Sequence, residues 1–103
     1  MKPCLLFLTC SDKAEAEKIS QILLDKKLVT CIKQVLTNSS YLWKNKIEKA
    51  SEVLLIMDSV ENNFEKIDKE LKKAHSYDTY TLVLTKIDKL NKKASNWISK
   101  ELA

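Results

Sequence analysis

An α+β domain of order β-α-β-β-α-β, closed by a tail helix, is predicted by three features of the sequence. Two segments carry apolar residues at helical spacing, and each lies between runs of strand length. Two of those runs are joined directly through Lys44-Asn45, which makes them a hairpin. The arms of that hairpin are much longer than the other strands, and its tip carries Tyr41, Leu42 and Trp43.

The first strand is the continuous apolar run at residues 4–9, the pattern of a strand buried on both faces. Ser11-Asp12-Lys13-Ala14-Glu15 then starts a helix, with Asp12 as N-cap and Glu15 closing a capping box. Ala16, Ile19, Ile22 and Leu23 step at helical spacing, so the helix covers residues 13–27. The hairpin runs from Thr30 to Trp43, turns, and returns from Lys46 to Met57. Ser59 is the predicted N-cap of a second helix whose apolar stripe is Val60, Phe64, Ile67, Leu71 and Ala74. His75 stands near its C-terminus. Residues 79–85 are β-branched and apolar and read as the fourth strand. Residues 89–103 read as a last helix that docks through Trp97. The order is that of the split βαβ, or ferredoxin-like, arrangement, in one domain over residues 1–103.

Composition narrows the function. Every basic residue is lysine, and the net charge is +4. Without the bidentate fork of arginine, a nucleic-acid reader is disfavoured, and the lysines read as solvated helix faces. The chain contains no glycine, so positive-φ positions are expected to fall to Asn38, Asn45 and Asn91. It follows that no glycine loop is present to cradle a phosphate. The nucleophile elbow, the arginine of an acylphosphatase, the RNA-binding strand motif and the MxCxxC metallochaperone loop are missing too. No apolar run is long enough to span a membrane. Three cysteines without a CxxC, in a chain with no targeting segment, read as reduced thiols in the cytoplasm.

A two-layer arrangement leaves one surface open. Right-handed crossovers put both main helices on one face of the sheet. Yet Leu5 and Phe7 alternate with Leu6 and Leu8, and Leu54 and Ile56 alternate with Val53, Leu55 and Met57. Both faces are therefore apolar, and the uncovered one calls for a partner. The long hairpin is the arm that would reach it.

The chain resembles the CutA family of divalent-cation tolerance proteins over nearly its whole length. The resemblance lies in Leu8-Thr9-Cys10-Ser11-Asp12, Lys27-Leu28-Val29-Thr30-Cys31, the segment from Ser40 to Glu48, Ser51-Glu52-Val53-Leu54-Leu55-Ile56, His75-Ser76-Tyr77-Asp78, and Asn91 to Ile98. It implies a ferredoxin-like subunit in a tight, PII-like homotrimer with hairpins pairing between subunits, no established enzymatic reaction, and weak binding of Cu2+ or related divalent cations. Departures from the family pattern are also present. Asn45 replaces the hairpin glycine, Leu42 an aromatic, and Asp58 a lysine. The segment from His75 to Thr81 lacks the family's two prolines and its second carboxylate. Leu8 stands where some relatives carry a cysteine, while Cys10 points to the same side two residues on.

Candidate metal ligands are His75, Cys10 and Cys31. An imidazole suits Cu(II), but a histidine at a helix C-terminus equally caps carbonyls and answers the dipole. Cys31 is either a small buried hydrophobe or a soft thiolate ligand. Cys10 precedes a helix N-terminus, which favours a thiolate. Tyr41, Trp43, Lys46, Glu48, Tyr77 and Asp78 are the candidates for an inter-subunit cleft, with Tyr41, Trp43 and Tyr77 read more simply as interface packing than as a stacking platform. Glu48, Glu52 and Asp78 could supply carboxylates to such a cleft, though each, taken alone, reads as a solvated strand or loop charge. Two functions remain open at the level of sequence. One is a non-enzymatic metal-binding trimer. The other is a PII-like module that binds a small anionic metabolite near Tyr41, Lys46 and Tyr77.

Overall fold

The computed structural model describes residues 1–102. The elements are β1 (Pro3–Cys10), α1 (Lys13–Asp25), β2 (Cys31–Trp43), β3 (Lys46–Val60), α2 (Phe64–Ala74), β4 (Leu82–Lys86) and α3 (Lys92–Glu101), with a 3-10 turn at Glu61–Asn63. The strands form one antiparallel sheet in the order β2-β3-β1-β4. This is the ferredoxin-like α+β arrangement that the sequence predicts.

Alternation along β1 decides where the core sits. Cys4, Leu6, Leu8 and Cys10 are fully buried, as are Leu55 and Met57 beside them on β3. They pack against Ala16, Ile19 and Leu23 of α1 and Ile67 and Leu71 of α2. Each large side chain buried here contributes about 1.5–3 kcal/mol. The opposite face is apolar and incompletely covered. Phe7 pairs with Ile56 on one side and Val83 on the other, and Val83 is exposed.

The hairpin outruns the sheet. The β1 ladder ends at Cys10↔Val53, and the pairs from Thr37↔Glu52 to Trp43↔Lys46 form a free two-stranded arm. At ~3.4 Å per residue the arm projects roughly 20 Å, and the molecule is 45 Å long but only 26 Å and 21 Å across. Leu42 and Ile47 on the arm are 75% and 73% exposed, and Leu36 just before its root is 77% exposed.

Several boundaries differ from expectation for identifiable reasons. Ser59 lies in β3, not at a helix start, and its hydroxyl donates to the Leu28 carbonyl at 2.6 Å. Asn63 donates to the same carbonyl, so the crossover from α1 is fastened before α2 begins. α1 stops at Asp25, not residue 27, and β4 starts at Leu82, not residue 79, because residues 75–81 are drawn towards the end of β1. The last helix spans Lys92–Glu101 and docks through buried Ile98; Trp97 is 44% exposed. Ala103, the last residue of the expected helix, lies outside the described residues.

Left-handed backbone falls to lysine more than to asparagine. Positive φ occurs at Lys27, Lys44 and Asn45, while Asn38 lies within β2 and Asn91 has φ −61°. Lys44 and Asn45 form the two-residue turn that matches strand twist. Lys27 occupies the left-handed position of a Schellman motif, with Lys27 N–H on Leu24 O and Leu28 N–H on Leu23 O. A side chain there is strained where glycine would not be. Lys27→Gly is therefore expected to stabilise the fold by about 0.5–1 kcal/mol, read as a higher denaturation midpoint in urea; a lower midpoint would contradict the strain assignment.

Candidate functional site

The C-terminal end of β1 is where the chain's chemistry converges. Asp12 caps α1 as predicted, accepting from Glu15 N–H at 2.8 Å. Glu15 itself does not close the box on Asp12. Its Oε1 accepts from Ser11 N–H (2.9 Å) and Ser11 Oγ (3.0 Å), and its Oε2 accepts from Ser76 N–H at 2.6 Å. One carboxylate thus ties the start of α1 to the segment that follows α2. Burial pushes the Glu15 carboxyl up, but the hydrogen bonds from Ser11 and Ser76 outweigh it and hold the pKa at about 2.

His75 is the second tie. It ends α2 in extended conformation with its N–H on Leu71 O, and its ring turns back into the protein. The side chain is fully buried. Nδ1 accepts from Tyr77 N–H at 3.0 Å, so Nε2 carries the proton and donates to Thr9 O at 2.9 Å. The ring stacks on Tyr80 and meets Tyr77 at a tilt, both at 5.0 Å between centroids. Tyr80 hydroxyl is held by Asp68 on α2. The predicted capping of helix carbonyls is not what the ring does.

Cys10, Glu15 and His75 form a cluster whose ligand atoms lie within 4.8 Å of one another. A thiol, a carboxylate and an imidazole are a mixed donor set of the kind that takes copper or zinc. The donors are not idle, however. Both imidazole nitrogens and both carboxylate oxygens already hold hydrogen bonds. Burial, with Glu15, Asp12 and Glu52 nearby, pushes the Cys10 thiol up to about 12. The helix N-terminus does not yield a thiolate here, because the thiol is buried among carboxylates. Cys31 is not brought into the cluster. It pairs with Asp58 at the far end of the β3 ladder and has Lys33 Nζ at 3.7 Å.

The cleft residues divide. Tyr41, Trp43, Tyr77 and Asp78 line an open groove of about 650 Å3 between the arm and residues 76–81. Lys46 and Glu48 are exposed towards the arm tip and do not line it. Glu52, which reads as a solvated charge in the sequence, is 7% exposed at the root of the arm and accepts from Tyr77 Oη at 2.5 Å. Burial, then Glu52, raises the Tyr77 hydroxyl pKa. Glu15 and Tyr80 were not legible as site residues, since Ser76 and His75 reach them only through the fold, while Glu52 was legible as a possible cleft carboxylate and no more.

Fold and site together define a ferredoxin-like domain with a projecting arm and a buried Cys-Glu-His cluster at the foot of a groove. Residues 4–101 match the family of the CutA1 divalent ion tolerance protein, and the chain belongs to that family. It is 28% identical over 102 residues to the divalent-cation tolerance protein CutA of Thermococcus kodakarensis, covering 99% of this chain and 98% of that one. The structure of the protein described as periplasmic divalent cation tolerance protein CutA from Archaeoglobus fulgidus superposes with a TM-score of 0.96 at 30% identity, over 98% of this chain and 99% of that one. CutA1 from Ehrlichia chaffeensis superposes with a TM-score of 0.92 at 27% identity, over 100% and 98% of the two chains.

The Glu15 tie has a pH signature. Its pKa is lowered from the ordinary 4.5 to about 2, so the stabilisation is complete above about pH 4.5 and is lost as pH falls through 2. Unfolding free energy should drop across that window by on the order of 2–3 kcal/mol more in the wild type than in Glu15→Gln. Parallel pH curves for the two proteins would show that Glu15 is not the tie.

Proposed function

We propose that this chain forms a homotrimer that binds divalent copper weakly at Cys10, Glu15 and His75, and that its role is binding, not catalysis. The observation that carries the metal reading is the convergence of three donor types within 4.8 Å. Weakness follows from their state. An ion must displace the bonds to Thr9 and Tyr77 and remove a proton from a thiol raised to about 12. The same facts argue against a catalytic role, since neither ring nitrogen is free to act as a base and the buried thiols are poor nucleophiles. Association is supported by the exposed apolar arm and the incompletely covered face of the sheet, and the number three rests on the family resemblance. Three unpaired thiols fit a reducing compartment such as the cytoplasm. Among the described residues no helix is long and apolar enough to cross a membrane.

The groove supports a second reading, in which the assembled protein is a PII-like module that binds a small molecule. Its volume is that of an ordinary ligand site. The expected anionic metabolite loses its basic partner, however, because Lys46 stands outside the lining.

Titration calorimetry with Cu(II) tests the metal reading. The wild type should bind, His75→Ala and Cys10→Ser should each weaken binding at least about tenfold, and Cys31→Ser should leave it unchanged. Identical titrations for wild type and His75→Ala would refute the site.

A further inference from the structure

We propose that the groove between the arm and residues 76–81 binds a small organic ammonium ion, with Glu52 as its counter-charge. This rests on the second reading above and names its ligand class.

The walls select for positive charge. Tyr41, Trp43 and Tyr77 supply aromatic surface, and Glu52 and Asp78 supply carboxylates. The sequence has 18 basic residues, all lysine, yet none lines this groove. Aromatic faces beside a carboxylate attract an ammonium group and repel an anion.

Glu52 makes the choice specific. It is 7% exposed, and Tyr77 Oη occupies only its Oε2. Oε1 has no hydrogen-bond partner among the described residues, and the side chain faces the groove. Oε1 is not sealed away from solvent, so it is open to a guest in the groove and can accept further hydrogen bonds. An ammonium donates to the free oxygen, while a neutral guest leaves the charge uncompensated. A bare divalent ion fits less well. Among the described residues the metal-ligating groups converge at Cys10, Glu15 and His75, a set that omits Glu52. The volume of about 650 Å3 lies well inside the range of small-molecule sites, roughly 300–1,000 Å3.

Three compounds of similar length and different charge test this on the assembled protein: 1,4-diaminobutane, 1,4-butanediol and succinate. Binding is read by calorimetry and by Trp43 emission in a Trp97→Phe background. The diamine should bind saturably, at least tenfold more tightly than the other two, and Glu52→Gln should lose at least tenfold. Glu52→Gln is first checked for native melting. Trp43→Leu, at an exposed position, is the second variant and should weaken the diamine several-fold. Unchanged diamine affinity in Glu52→Gln, or equal binding of the diol, overturns the proposal. Preference for succinate overturns the ligand class but leaves the groove a small-molecule site. Silence with all three, as when a lysine of another copy fills the groove, overturns both.

Discussion

One constraint organises this chain: its sheet is apolar on both faces, and its helices can cover only one. Leu6, Leu8, Leu55 and Met57 are sealed beneath α1 and α2, and their burial holds the subunit together. Leu5, Phe7, Leu54 and Ile56 face the other way and stay partly exposed, while Val35 and Val83, paired beside Leu54 and Phe7, are 43% and 50% exposed. Covering what remains exposed would add a fraction of the about 1.5–3 kcal/mol that full burial of a large side chain contributes. A chain of this size has no further layer to supply, since α3 docks through Ile98 alone among its buried residues. The proposed trimer answers that deficit, and the length of β2 and β3 gives it reach.

The same arm creates the place where chemistry can occur. β1 ends at Cys10, and the arm begins immediately beyond, at Glu52. Residues 75–81 are drawn into the corner this leaves. Glu15 holds Ser76, His75 holds Thr9 and Tyr77, and Tyr77 reaches Glu52. The Cys-Glu-His cluster and the groove therefore share a wall. Anything that pulls His75 off Thr9 also moves the tyrosine that lines the groove.

Much of the fold was legible because it is local. The alternation at residues 4–9, the stripe from Ile67 to Ala74 and the Lys44-Asn45 turn carry their own periodicity. What misled is tertiary. Ser59 has the chemistry of an N-cap, but the Leu28 carbonyl claims its hydroxyl. The β-branched run at residues 79–85 looks like a strand throughout, but Tyr80 is captured by His75 and Asp68 before pairing begins at Leu82. Left-handed φ at Lys27 and Lys44 shows the fold overriding residue preference where glycine is absent. At the site, His75 and Cys10 stood out by residue type. Glu15 did not, and Glu52 was one possible cleft carboxylate among three, because a carboxylate's role depends on what folds against it. Cys31 was the weaker of the two cysteine candidates in sequence, lacking a helix N-terminus beside it, and lies elsewhere in the fold.

The most direct test of the central claim is the mass of the intact protein by native mass spectrometry at low micromolar concentration. The account predicts three times the chain mass with no persistent monomer. A stable, folded monomer would contradict it, because the open apolar face and the arm would then exist without the surface they are shaped to meet.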